Sequence, residues 1–197
     1  MNSSAPKPSE SSQRAMTVLL QRASGGDDSA RSRLLQEVYG QLHGMAENKL
    51  RRENTGHSMQ ATMLVHDAYM QLIGPGQDVA FNDRNHFYVL AANAMRRLLV
   101  DHARKRRAAK RGGPHWKRSA GDVEELADKQ DSDLLSLHTA LKRLQEVDER
   151  QASIVELRHF GGYTVEETAE LIGVSERTVK ADFAAAKAWL FRELQPQ

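Results

Sequence analysis

In the stretch SERTVKADFAAAKAWLF, residues 175–191, the polar groups of Ser175, Glu176, Arg177, Thr178, Lys180 and Lys187 are interleaved with apolar residues at every third or fourth place. Arginine near the start of a helix can pair with guanine edges in a major groove, and lysine or serine can hold phosphates, so the chemistry on offer is recognition of nucleic acid. The elements that must position these groups lie just upstream. Thr164 and Glu167 have the spacing of a capping box, which starts a helix at Val165. Its inward residues are Val165, Ala169 and Ile172; Ala169 is small where two helices cross, Gly173 suits a left-handed turn, and Val174 fills the corner. Ser175 then caps a second helix with the inward stripe Val179, Phe183, Ala186 and Leu190. Glu176, Arg177, Lys180, Ala181, Ala184 and Lys187 remain at its start or on its outer face, where the two alanines permit close approach to a duplex. A plain helical hairpin satisfies the same capping and stripe spacing. The ordered set of capping box, Ala169, Gly173, Ser175 and Val179 favours a DNA-binding helix-turn-helix.

A second concentration of charge lies mid-chain. Ten Lys or Arg residues between Arg96 and Arg118 face one acid, Asp101, while the rest of the chain holds 18 basic and 25 acidic residues; the net charge of +2 hides this segregation. Such a block suits a polyanionic partner, because neutralised phosphates release counterions. A solvated basic linker is the alternative. The helix that carries the block starts near Asp83 and has the inward stripe Phe87, Leu90, Ala91, Ala94, Met95, Leu98 and His102, with Asn93, Arg97 and Arg104 on another side. The GGP at 112–114 ends it.

Helical spacing runs through the remainder, and no stretch has a strand pattern. The predicted fold is all-α: a disordered Ser- and Pro-rich tail at 1–14, a helical domain at 15–107, a flexible linker at 108–133 and a second helical domain at 134–197. In the first domain, helices are expected on either side of SGGDDS (24–29) and over ATMLVHDAYMQLI, where Leu64, Val65, Ala68, Tyr69 and Leu72 share a side and GPG at 74–76 is the stop. In the second, Leu134, Leu137, Leu141 and Leu144 define a face, RQASIVELRHF continues as a helix, and Trp189 and Phe191 are expected to close the core. The chain has no cysteine, which excludes disulfides and thiol chemistry. No apolar run approaches the ~20 residues of a membrane span and the polar start lacks a secretory signal, so a cytoplasmic protein without membrane insertion is expected. There is no His pair at metal-ligand spacing and no Gly-rich phosphate loop; His43, His57, His86, His115, His138 and His159 read as packing or surface residues. Neither a cofactor nor a catalytic role is expected.

The whole order, a basic helix before a linker and a terminal helix-turn-helix, resembles the extracytoplasmic-function group of bacterial sigma-70 factors over roughly residues 16–194. The strings GHSMQATMLVHDAYMQL and HFYVLAANAMRRLLVDHARKRRAAKRGG are the most specific. The resemblance implies a sigma2 and a sigma4 domain on a flexible linker, directing core RNA polymerase, through its β′ coiled coil and β subunit, to promoter DNA. Leu64, Val65, His66, Asp67 and Gln71 fall where such proteins touch the β′ coiled coil, although the family more often has Gln-Glu where this chain has His66-Asp67; from the residues alone these two are solvent-facing groups of an amphipathic helix. Asn93, Arg96, Arg97, Arg104, Lys105 and Arg106 fall where the −10 element is recognised and opened. Many members have Arg-Asn, three residues, then Asp; here Arg96-Arg97 precedes Leu98-Leu99-Val100-Asp101, with arginine in place of asparagine. Asp101 has two readings, an intrahelical partner of Arg97 and Lys105 or a base contact. Phe87 and Tyr88 likewise read as core or as stacking platforms, and residues 77–85 hold the place of a specificity loop. Ser175, Glu176, Arg177, Thr178, Lys180, Ala181 and Lys187 would meet the −35 duplex. Trp116 either enters a polymerase channel or lies exposed, an anti-sigma protein is a further partner the resemblance admits, and the two domains either pack together or stay apart. A helix-turn-helix regulator that is not a polymerase subunit is the alternative, and a nucleic-acid enzyme such as a recombinase a third class.

Overall fold

The structure is a computed structural model that describes residues 10–52, 60–77, 79–111 and 122–195. It is all-α. In chain order the helices are α1 (Glu10–Ser24), α2 (Asp28–Arg52), α3 (Ala61–Ile73), α4 (Arg84–Arg111), α5 (Asp122–Val147), α6 (Glu149–Val155), a π-helical segment (Glu156–Phe160), α7 (Val165–Ile172) and α8 (Glu176–Glu193).

Local chemistry sets the ends of these helices. After α1, Gly26 takes a left-handed turn (φ 96°) and Asp27 opens α2, its carboxylate accepting from the Ala30 backbone N–H at 3.0 Å and the Ser29 hydroxyl at 2.6 Å. The α3 helix stops at Gly74, where an added Cβ would lie 2.3 Å from the Met70 carbonyl oxygen. Asp83 starts α4 by accepting from the His86 N–H at 2.8 Å. The core of the first half is then assembled from Leu20 and Ala23 of α1, Leu34, Val38, Leu42 and Met45 of α2, Leu64, Val65 and Ala68 of α3, and Phe87, Tyr88, Ala91 and Met95 of α4, all buried. Phe87 packs edge-on against Phe81 and Tyr88, with ring centroids 5.6 and 5.3 Å away, so both Phe87 and Tyr88 are core residues and not platforms for bases. The Tyr69 hydroxyl donates to the Arg31 carbonyl at 2.6 Å and ties α3 to α2.

Three differences from the sequence reading have physical causes. Helix α1 begins at Glu10, inside the segment expected to be a disordered tail; residues 1–9 lie outside the described residues. The expected linker at 108–133 is helical at both ends: Ala108 and Ala109, good helix formers, extend α4 to Arg111, and the acid-rich stretch begins α5 at Asp122, where acidic residues suit a helix N-terminus. Residues 112–121, with His115 and Trp116, lie outside the described residues, as does His57. Trp189 does pack partly buried against the second core, but Phe191 does not close it and is 67% exposed.

The two halves pack on one another. Leu157 and Tyr163 of the second half join the core of the first, and Leu134, Leu171 and Ile172 lie against it. The Tyr163 hydroxyl accepts from Gln41 at 3.1 Å and contacts the Met45 sulfur at 3.4 Å. The π-helical segment delivers this contact: its wider turn, closed by Gly161 N–H donating to the Glu156 carbonyl at 2.9 Å, buries Glu156, Leu157 and Phe160 together.

Candidate nucleic-acid interface

The helix-turn-helix forms as its residues demand. The Thr164 N–H donates to Glu167 Oε2 at 2.7 Å while the Glu167 N–H donates to Thr164 Oγ1 at 3.2 Å, completing the capping box. Gly173 turns the chain at φ 76°, and the Ser175 hydroxyl accepts from the Thr178 N–H at 3.1 Å to cap α8. Val179, Ala169 and Ile154 form the small core that fixes the crossing, with Val165, Ile172, Val174 and Phe183 packed around it. Ile154, on α6, is the anchor that the two-helix pattern could not supply, since it comes from a third element.

This packing leaves Ser175, Glu176, Arg177, Lys180, Ala181, Ala184 and Lys187 exposed and Thr178 half-buried. Lys180 Nζ lies 3.2 Å from Glu176 Oε2, an exposed pair four residues apart and worth only about 0.2–0.5 kcal/mol, so it yields readily to a phosphate. The Lys187 ammonium sits 6.0 Å from the Phe183 ring centre. Arg177 has no ion-pair partner among the described residues. The surface is a cationic helix start with small residues beside it.

On α4 the six expected residues divide between two sides of the helix. Arg97, Arg104 and Lys105 are exposed. Asp101 pairs with Arg104 at 3.2 Å, both side chains more than half exposed, which places the acid in the intrahelical role with Arg104 in place of the expected Arg97 and Lys105. Arg96 is 3% exposed, its Nε 2.5 Å from Glu156 Oε1 and its guanidinium donating to His138 Nδ1. Asn93 is half-buried, accepting from Arg96 at 3.2 Å and donating to the Val89 carbonyl at 3.2 Å. Arg106 grips Asp131 of α5 through two nitrogens. Arg96 and Arg106 are thus turned toward the second half of the chain, away from any outside ligand. A signal for Arg96 existed: Ala92, Leu99 and Ala103 form a second apolar ridge on either side of it.

Burial pushes the Glu156 carboxyl up to about 7, opposed by the positive charge of Arg96 and, more weakly, Arg97 and Lys49. Burial, then the charge of Arg96, pushes His138 down to about 4. His138 is therefore neutral at pH 7 and its Nδ1 lone pair is free to accept from Arg96. Lys49 and Arg96 both lie over the Phe160 ring, 4.3 and 5.8 Å from its centre.

The residues expected to meet polymerase also split. Leu64 and Val65 are buried in the core at 0% and 1% exposure, while His66 and Gln71 are exposed and Asp67 is partly so. The same outer face carries Met63 and Met70, 51% and 40% exposed, which the sequence reading missed. Their signal is an apolar residue lying off the Leu64, Ala68 and Leu72 stripe, and flexible thioethers suit a protein-binding surface.

A sequence model of the ECF sigma factor family matches residues 13–196. The chain belongs to that family. This sigma factor therefore has a role in transcription initiation. No curated protein matches its sequence significantly. Among solved structures, CnrH in complex with the cytosolic domain of CnrY is similar over 91% of this sigma factor and 97% of that chain, at 21% identity and a TM-score of 0.41. Among the described residues of the sigma factor, no helix is long and apolar enough to cross a membrane, and no three His, Cys, Asp or Glu side chains are grouped to hold a metal.

Proposed function

We propose that this sigma factor binds core RNA polymerase through the outer face of α3, formed by Met63, His66, Asp67, Met70 and Gln71, and reads promoters at two places. Ser175, Arg177, Thr178, Lys180, Ala181 and Lys187 meet the −35 duplex from α8, and Arg97, Arg104 and Lys105 of α4 track the strand at the −10 element. Asn93, Arg96 and Arg106 join the second site only once the second half of the chain has moved. The observation that carries this reading is the presence of two separate cationic surfaces, each on a helix whose opposite side is fixed to a core. Neither surface alone explains strand opening, since unstacking a base costs a few kcal/mol and needs a partner to hold the extruded base. Core enzyme bound to α3 would supply that partner. Family membership also supports an anti-sigma protein as a regulator.

The test is run-off transcription with purified bacterial core polymerase and fragmented genomic DNA. Discrete start sites that depend on the chain are expected. Sequence-specific duplex binding by the isolated chain, with no effect on core polymerase, would instead mark a regulator that acts outside the enzyme.

A further inference from the structure

The second half of the chain is tied along one side of α4 at three levels. Asn85 donates to the Glu170 carbonyl at 3.3 Å, Arg96 meets Glu156 and His138, and Arg106 meets Asp131. At 1.5 Å per residue these ties span about 30 Å of helix. The middle tie is the most deeply buried: the side chains of Arg96 and Glu156 are each 4% exposed, with the Phe160 ring beside them. It is also imperfect. Glu156 Oε2 has no hydrogen-bond partner among the described residues, and Arg96 Nε, though 2.5 Å from Oε1, lies off the line of a hydrogen bond.

We propose that the buried contact of Arg96 with Glu156 and His138 is an intramolecular latch that closes the free chain over one side of α4, and that the two halves must part before that side can meet DNA. The proposal rests on the assignment of α4 to the −10 element. A buried ion pair with an unsatisfied oxygen contributes little net stability, but a charge left there without its partner is strongly unfavourable. The contact therefore rejects mismatched charge while staying weak enough for a larger external surface, such as core polymerase, to displace. Arg96 is one of the cations of α4, and the closed form consumes its charge internally while Arg97, Arg104 and Lys105 stay exposed.

The chain has no cysteine, so the exposed Gln36 on α2 and Gln145 on α5 can be replaced by cysteine and labelled for energy transfer. Glu156→Lys puts two cations together and is expected to lower transfer roughly twofold or more. The swap Arg96→Glu with Glu156→Lys is expected to recover it, and neutral Glu156→Gln, which leaves Arg96 without its counter-charge, to lower it less than Glu156→Lys does. Unchanged transfer in folded Glu156→Lys overturns the latch. If that variant loses its helical circular dichroism, the swap decides: transfer near the wild-type value supports the latch, and low transfer in a folded swap overturns it. Core polymerase separates the latch from the reading beneath it. A chain that binds core enzyme and promoter with transfer still high overturns the latch, whereas a chain that never binds core enzyme sinks the sigma assignment and leaves the Glu156→Lys result standing.

Discussion

Arg96 and Arg97 are adjacent arginines with opposite fates, and the difference is angular. One residue on a helix is a turn of about 100°, which carries Arg97 into solvent and Arg96 into the contact with Glu156. A count of charge in sequence cannot separate them, which is why the basic set on α4 was legible as a helix but not as a surface. On α8 the charge was legible residue by residue, because a single inward stripe leaves Glu176, Arg177, Lys180 and Lys187 outside. Replacing Arg177 and Lys180 together by alanine should weaken −35 binding by about 1–3 kcal/mol for each base edge that is no longer met, with core binding unchanged. Equal losses in a promoter gel shift and a core-binding assay would contradict that division. Glu156 and His138 make a prediction about pH. Glu156, raised to about 7, holds its proton more tightly folded than unfolded, so its contribution falls as pH rises from 4.5 to about 7. His138, lowered to about 4 among Arg96, Arg104, Lys142 and Asp101, sheds its proton on folding, so its contribution rises with pH from about 4 to 6.5. The two oppose each other between 4.5 and 6.5, and above 6.5 only Glu156 acts. His138→Gln should therefore turn a nearly level melting temperature across that window into one that declines with pH; calorimetry showing a level profile in the variant would contradict the account.

Helix ends were read well where a short-range cap decides them. Thr164, Gly173, Ser175 and Asp83 all act as their spacing predicts. They were read poorly where tertiary contact decides them: α5 starts in an acid-rich stretch that resembles a linker, and Asp131 there is held by Arg106 from α4. The glycines make a test at this scale. At Gly173 an alanine Cβ meets nothing within 4 Å, so its penalty is the left-handed backbone alone, about 1–2 kcal/mol. At Gly74 the backbone is ordinary (φ −59°) but the Cβ would strike the Met70 carbonyl oxygen at 2.3 Å. Gly74→Ala should thus lower the melting temperature more than Gly173→Ala, and the reverse order would mean that the turn after α3 yields more easily than its contacts suggest.

For the whole molecule, two helical units were visible in the sequence and their mutual packing was not. The surfaces that join them are made by residues far apart in sequence, such as Gln41 with Tyr163 and Asn85 with Glu170, and no periodicity encodes such pairs. The closed form also explains why charge segregation overstated the accessible basic surface: part of the mid-chain block is spent on Glu156 and Asp131.

The π-helical segment at Glu156–Phe160 gives chain length a mechanical meaning. Its wide turn already holds one residue more than an α-turn would, so an alanine inserted after His159 should overfill it and swing everything beyond it by about 100°. Tyr163 would then miss Gln41, and the helix-turn-helix would keep its shape while facing a new direction. Undiminished helicity with lower energy transfer between labels at Gln36 and at the exposed Ala188 of α8 is the expected outcome, which makes the spacing of this segment, more than the identity of its side chains, the setting of the angle between the helix-turn-helix and the body.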